Sequence, residues 1–187
     1  MQMADIGVLR DFILSFEGGF VNDPVDRGGA TNMGVTIGTW RQVGYDKDGD
    51  GDIDVDDLRL LTKEDVVERV MRPHYWNRWR ADEIRSQSLA NILVDWVWAS
   101  GANGIRIPQR LLGVKDDGIV GPKTLAALNS RDARAFFDEV KARRVAFINA
   151  IVAKDRKQER FRAGWLRRLN CIGFGSITDN YGRRVKC

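Results

Sequence analysis

The chain has 187 residues, of which 43% are hydrophobic and 30% charged, and its formal net charge is +4. This length suits one domain, or one domain with a small subdomain, and the composition is sufficient for a real core. No window reaches eighteen uncharged apolar residues, which excludes a membrane-spanning helix and stable membrane insertion. Charges within and beside the first apolar run, at Asp5, Arg10 and Asp11, argue against a signal peptide, so we expect the protein to accumulate in the cytoplasm.

Apolar periodicity and capping residues predict a mainly α chain. Thr62, followed by acidic residues, predicts the N-cap of a helix that Pro73 ends. Ser86 and Gly101 bound a strongly apolar central helix, and Ser130 is expected to cap a long basic one. Near residue 34 the glycine-rich chain is expected to form a short strand or hairpin. The predicted helices cover residues 4–17, 37–44, 62–73, 86–100, 105–112, 122–129, 131–153 and 155–169.

Residues 17–36 have the composition of an active site contained in one segment. Glu17, Asp26 and Thr31 lie among five glycines, more than a simple turn between helices requires. Cleavage of a glycosidic bond needs an acid beside the leaving oxygen and a second group that handles water or the sugar cation. An apolar setting keeps a carboxyl group protonated, so Glu17, next to Phe16 at the end of a helix with a buried face, is the expected proton donor.

The polar residues of this segment complete the predicted site. Asp26, in the polar loop, is expected to stay ionised and to orient or deprotonate the water, which the hydroxyl of Thr31 or Thr36 would hold. Asn22 and Asp23 either bond sugar hydroxyls or fix the turn before the proline. Without a wider pattern, one Glu and one Asp here would favour the simpler interpretation of a capped helix and a structural loop.

The spacing of Glu17, Asp26 and Thr31 resembles the triad of the phage-type lysozymes. The longer pattern Glu-Gly-Gly-x-x-Asn-Asp-Pro-x-Asp-x-Gly-Gly-x-Thr-x-x-Gly-Val-Thr at 17–36 resembles glycoside hydrolase family 108, the N-acetylmuramidases found as phage endolysins and related bacterial wall hydrolases. Other strings similar to this family occur at 74–76, 95–101, 112–124 and 164–168. The resemblance covers about residues 5–169.

The resemblance implies a lysozyme-like fold with a catalytic region over 1–104 and a helical, peptidoglycan-binding-like region over 105–187 packed on it. It implies hydrolysis of the β-1,4 bond after N-acetylmuramic acid in peptidoglycan, with Glu17 catalytic. We expect a monomeric phage or prophage endolysin that leaves the host cytoplasm for the cell wall through a holin pore. The alternative is a wall protein without turnover, either a binding module or a secretion activator of the kind this family includes.

Residues 46–57 match the twelve-residue EF-hand loop, with Gly51 at position six and Ile53 at position eight. Position twelve departs from the pattern, because Asp57 is one methylene shorter than the usual Glu. Seven carboxylates in twelve residues repel one another without a cation, so a structural or regulatory Ca²⁺ is expected rather than a solvated acidic turn. The expected ligands are Asp46, Asp48, Asp50, Asp52, Asp54 and Asp57.

Aromatic residues add two expectations. Tyr75 and Trp76 are candidates for the wall of a sugar cleft, because pyranose rings stack on flat aromatic faces. Trp96 and Trp98 lie on the apolar helix and are assigned to the core, and His74 receives no catalytic role.

Charge is unevenly distributed along the chain. Residues 1–130 contain 15 Lys and Arg against 20 Asp and Glu, whereas residues 131–187 contain 15 against 6. The basic end points to an anionic polymer or surface. With the family resemblance, the expected partner is peptidoglycan rather than nucleic acid. The helices over 131–168 would hold the wall, and basic residues near Arg183 would act on an anionic outer membrane.

Overall fold

A computed structural model describes residues 3–22 and 29–185, and it is mainly helical, as the sequence predicts. A wide-turned π-helix, Val66–Trp76, continues the fourth helix. Two small antiparallel hairpins accompany the helices: β1 (Thr31–Asn32) with β2 (Val35–Thr36), and β3 (Ile172–Gly173) with β4 (Ser176–Ile177). Helices α1 to α9 are, in order, Ile6–Phe16, Ile37–Val43, Val55–Arg59, Lys63–Asp65, Gln87–Ser100, Asn103–Leu111, Pro122–Ser130, Ala133–Lys154 and Glu159–Asn170.

Side-chain caps explain where the helices begin. The hydroxyl groups of Thr62 and Ser86 accept backbone N–H bonds at the starts of α4 and α5, which confirms both predicted caps. The long basic helix begins later than expected. Ser130 is the last residue of α7, and the carboxylate of Asp132 caps α8 by accepting from the N–H of Ala135 at 2.8 Å.

The prediction that Pro73 ends its helix is wrong. The chain stays helical to Trp76, in turns wider than those of an α-helix, where N–H groups reach the carbonyl five residues back. Proline lacks an N–H and its ring crowds the preceding turn of a regular α-helix, and the wide turn accommodates both effects. Residues 74–76 therefore lie on a helix with one buried side instead of in a loop.

One continuous hydrophobic core runs through the described part of the chain. Helix α5 lies at its centre, where every residue from Ser88 to Val97 is buried. Helix α1 packs on it through Leu9, Phe12 and Ile13, and the helices after residue 103 contribute to the same core. A lysozyme-like single domain is therefore confirmed, and the boundary near residue 104 stays a prediction. No described helix is long and apolar enough to span a membrane.

Candidate active site

Glu17 is the first residue after α1, and its backbone leaves the helix in an extended conformation (φ −84°, ψ 140°). The buried face of α1, with Phe12 and Ile13 fully enclosed, fixes the direction in which the helix ends. The side chain of Glu17 is 21% exposed, so its carboxylate lies at the protein surface while most of it is covered. This placement suits a group that must meet a solvent-borne substrate.

Two side chains hold the carboxylate of Glu17 through one oxygen. The indole Nε1–H of Trp98 donates to Oε1 at 2.9 Å, and a guanidinium nitrogen of Arg168 donates to the same atom at 3.2 Å. The other oxygen, Oε2, accepts no hydrogen bond from any described residue. The setting of Glu17 is therefore mixed and not simply apolar, as the sequence suggested, because two polar donors share one oxygen and leave the second available.

Arg168 is itself fixed by a buried carboxylate. Its guanidinium donates to Oδ1 of Asp95 at 2.8 and 3.0 Å, and the other oxygen of Asp95 accepts from Arg144 at 2.7 Å. Asp95 is fully buried and Arg144 nearly so. Burial opposes ionisation of Asp95, but the charges and hydrogen bonds of the two arginines outweigh it and lower the pKa of this carboxyl below its ordinary value. Arg168 is thus held in place by Asp95 while it donates to Glu17.

The β1–β2 hairpin lies beside Glu17. The N–H of Met33 donates to the carbonyl of Gly18 at 3.1 Å, and Val21 and Thr31 exchange two backbone hydrogen bonds at 2.8 Å. Gly34 is left-handed (φ +78°), and a Cβ there would lie 2.9 Å from Oε2 of Glu17. Glycine is required at this position by both the turn and the closeness of the carboxylate.

Thr31 and Thr36 face each other across the hairpin, so their side chains share one face. The opposite face carries Asn32 and Val35, which are buried, and the amide of Asn32 donates to the carbonyl of Leu58. The threonines are only partly buried and are therefore accessible to a ligand. The hydroxyl of Thr36 also caps α2, accepting from Thr39, which gives it a structural role that Thr31 does not share.

The other predicted residues follow Val21 in the sequence. Asn22 is exposed. Asp23 and Asp26 lie outside the described residues.

Trp76 is not a substrate-binding residue in this structure. It is fully buried, and its Nε1–H donates to a carboxylate oxygen of Asp82 at 2.7 Å, because the unbroken helix turns it into the core. Trp98 is instead partly exposed and contacts Glu17, which corrects its assignment to the core. The ring of Tyr75 packs against it, with centroids 4.5 Å apart. Burial raises the pKa of the Tyr75 phenol, so this wall stays uncharged at neutral pH.

The acidic loop 46–57 holds its carboxylates in two groups. The oxygens of Asp46, Asp48 and Asp50 lie within 4.8 Å of one another, as do those of a second triad, Asp52, Asp54 and Asp57. In the EF-hand pattern five of these residues offer carboxylate oxygens and Asp52, at position seven, offers its backbone carbonyl, and oxygen donors of this kind are those that Ca²⁺ prefers.

Two features of this loop bear on whether it accepts a cation. Repulsion by Asp50 raises the pKa of Asp52, which a bound cation would relieve. Asp57, the shorter residue at position twelve, is buried and accepts backbone N–H bonds from Lys47 and Asp54. The donor chemistry fits Ca²⁺, with Asp57 shared between the loop and the start of α3.

Sequence reasoning missed Trp98 and Arg168, which hold Glu17, and Asp95, which holds Arg168. The signal for Asp95 was present, because a lone carboxylate in an otherwise apolar helix needs a buried cation partner. No local pattern pairs Asp95 with Arg168, which lies 73 residues from Asp95 and 151 residues from Glu17. Trp98 was missed because the helix is apolar on every side and its periodicity does not show which end reaches the cleft.

Comparison with known proteins agrees with this geometry. The family model described as glycosyl hydrolase 108 matches residues 10–101, and the one described as a predicted peptidoglycan domain matches residues 103–170. A solved structure described as SagA of Brucella abortus is 30% identical, with a TM-score of 0.66, and the match covers 86% of this chain and 86% of that chain. No curated protein matches.

Proposed function

Because the chain belongs to the glycosyl hydrolase 108 family, we propose that it hydrolyses the β-1,4 bond between N-acetylmuramic acid and N-acetylglucosamine. At the coarser level it is a glycoside hydrolase of lysozyme type with peptidoglycan as its partner. The observation that carries acid catalysis is the carboxyl group of Glu17, one-fifth exposed, fixed through one oxygen and flanked by an aromatic wall, whereas the choice of bond rests on the family.

In this mechanism, Glu17 is the general acid. Its Oε1 is held by the donors of Trp98 and Arg168, so the transferable proton resides on Oε2, which faces Gly34. As the bond between the sugar carbon and the glycosidic oxygen breaks, this proton moves to the departing oxygen. The negative charge that remains on Glu17 strengthens both hydrogen bonds, so they stabilise the transition state more than the ground state.

Water completes the reaction. We assign its orientation to Asp26, which takes a proton as the hydroxyl adds to the sugar carbon, assisted by Thr31. The hairpin face shared by Thr31 and Thr36 supports this assignment because both side chains on it are partly accessible. Asn22, Asp23 and Tyr75 are assigned to the sugar.

The decisive experiment compares Glu17→Gln with Glu64→Gln, a matched change at a carboxylate that is 78% exposed. Purified peptidoglycan is digested, and released reducing ends and wall binding are both measured. We expect loss of turnover with retained binding only at position 17, and products with N-acetylmuramic acid at the reducing end by mass spectrometry. Wild-type turnover in Glu17→Gln would remove Glu17 as the acid, and reducing-end N-acetylglucosamine would contradict the bond assignment.

The match of residues 103–170 to a peptidoglycan domain supports a second candidate, a wall-binding or secretion-activator-type protein without turnover. The same experiment separates the two. Binding without release of reducing ends by the wild type favours the second candidate.

We also propose that the loop 46–57 binds a structural or regulatory Ca²⁺. Asp48→Ala removes one expected ligand, whereas Asp56→Ala removes an equal charge at position eleven, which the EF-hand pattern does not use. Ca²⁺ is expected to raise the melting temperature of the wild type and of Asp56→Ala, and not that of Asp48→Ala. An equal rise in all three proteins, or none in the wild type, contradicts the assignment.

Finally, we propose a monomeric phage or prophage endolysin that is made in the host cytoplasm and reaches the wall through a holin. Exposed cations on α8, α9 and their connection support attraction to an anionic wall or outer membrane; they include Lys154, Arg156, Lys157 and Arg160. Cells that express the protein should lyse only when a holin is co-expressed. Lysis without one contradicts this route.

A further inference from the structure

An open groove of about 570 Å³ lies next to the candidate site, between the end of the π-helix and the end of α5. Its lining includes Tyr75, Arg78 and Trp98, and we call it the stem groove. Trp98 also donates to Glu17, so the stem groove begins one side chain away from the proton donor. Its size falls within the range of about 300–1,000 Å³ typical of small-ligand sites.

Arg78 differs from the two arginines nearest to it in the chain, Arg72 and Arg80. Arg72 lies 3.5 Å from the carboxylate of Glu68, and Arg80 bonds Glu83 at 2.7 Å. Arg78 is half-buried, and no described carboxylate lies within 4.0 Å of its guanidinium. A partly desolvated guanidinium without an internal partner is suited to a carboxylate supplied by a ligand, which it can bind through two parallel hydrogen bonds.

Tyr75 lies close to both Arg78 and Glu17. Glu17 and Arg78 both lie close enough for their charges to act on the phenol, in opposite directions. The stem groove therefore has an aromatic wall and a cation, and Glu17 lies one side chain beyond its lining. The sugar rings of peptidoglycan carry no charge, and its carboxylates lie on the peptide stem attached to each muramyl residue.

We propose that the stem groove receives the peptide stem of the muramyl residue next to the cleaved bond, and that Arg78 binds a stem carboxylate. This rests on the proposed function, which places a muramyl residue beside Glu17. The protein then distinguishes glycan strands that carry peptides from strands that have lost them, and Arg78 is a specificity residue.

The test uses intact peptidoglycan and the same material after an amidase has removed its peptides, which leaves only the lactyl carboxylate on each muramyl residue. Arg78→Gln removes the cation, Arg78→Lys retains it, and Arg85→Gln is the control, an exposed arginine whose side chain has no described carboxylate partner. We expect the wild type to prefer peptide-bearing strands. Arg78→Gln should lose roughly tenfold or more in kcat/KM on these strands, chiefly through KM, since it loses hydrogen bonds to a charged group. Arg78→Lys should recover part of the loss.

The outcomes separate this proposal from the proposed function. Equal loss on both substrates assigns Arg78 to folding, to sugar binding or to the lactyl group, and no loss on either leaves it without a role; each of these results overturns recognition of a stem carboxylate. If the wild type releases no reducing ends from either substrate, the proposed function itself fails. A binding measurement checks the contact directly. Tryptophan fluorescence in Glu17→Gln, to which Trp98 in the groove contributes, should respond to N-acetylmuramyl-L-alanyl-D-isoglutamine at lower concentrations than to its C-terminal amide, and an equal response contradicts carboxylate recognition.

Discussion

Replacing Trp98 by Phe tests the proposed role of Glu17 by removing one of its hydrogen bonds. The substitution retains an aromatic ring against Tyr75 and deletes the indole N–H that donates to Oε1 at 2.9 Å. Because the bond strengthens as Glu17 gives up its proton, its loss should slow the chemical step more than substrate binding.

The size of the effect follows from the geometry. Hydrogen bonds to charged groups contribute about 1.5–3 kcal/mol. Glu17 is one-fifth exposed, so water partly replaces the lost donor, and Arg168 still donates to the same oxygen. The lower part of the range, about 1.5–2 kcal/mol, is therefore expected, which corresponds to a fall of about 10- to 30-fold in kcat.

The assay is reducing-end release from purified peptidoglycan at saturating substrate, with thermal unfolding as the control for folding. Trp98 is partly exposed at the end of α5, so Trp98→Phe should unfold close to the wild-type temperature. An unchanged kcat in a folded variant would refute the claim that this N–H stabilises the charge on Glu17. A fall confined to KM would move Trp98 from catalysis to binding.

Three other changes follow from the structure. Gly34→Ala places a methyl group 2.9 Å from Oε2 of Glu17 on a left-handed backbone. Turnover should therefore fall more than tenfold, which corresponds to a rise of about 1.4 kcal/mol or more in the activation free energy. Reducing-end release measures this, with wall binding as the control. Asp65, bonded to Lys47, has its pKa lowered from 3.8 to about 2; its charged form therefore stabilises the fold above pH 4, and this is lost as the pH falls through 2. Asp65→Asn should cost about 2 kcal/mol in denaturant unfolding at pH 7 and almost nothing near pH 2, and a gap that does not depend on pH contradicts this. Raising salt from about 0.05 to about 0.5 M should weaken wall binding and slow lysis by screening the exposed cations of α8 and α9, and salt-independent lysis rates contradict wall attraction by charge.

Much of the fold could be predicted because the information is local. Thr62 and Ser86 cap helices through bonds to residues three positions later, so sequence alone identifies them. The predicted helix end at Pro73 was wrong because the rule that proline ends a helix assumes regular α-helical turns. That one error put residues 74–76 in a loop, which made the buried Trp76 look available to a sugar.

Only part of the candidate site could be predicted from the sequence, for a different reason. Glu17, Thr31 and Gly34 lie in one segment, and their spacing carries the pattern. The groups that control Glu17 come from α5 and α9, and a buried charge network depends on the packing of helices distant in sequence. The presence of Asp95 in an apolar helix predicts a cationic partner. The chain contains 30 Lys and Arg, however, and only the fold shows that the partners are Arg144 and Arg168.

The Asp95 network has a consequence for how this protein can be cut or recombined. Asp95 belongs to the segment matched by the hydrolase family, whereas both arginines belong to the segment matched by the peptidoglycan domain. Truncation after residue 102 would strand a carboxylate in apolar surroundings and strip Glu17 of a donor. An exchange of the second half between such hydrolases would have to keep both guanidinium groups, since each half depends on charges supplied by the other.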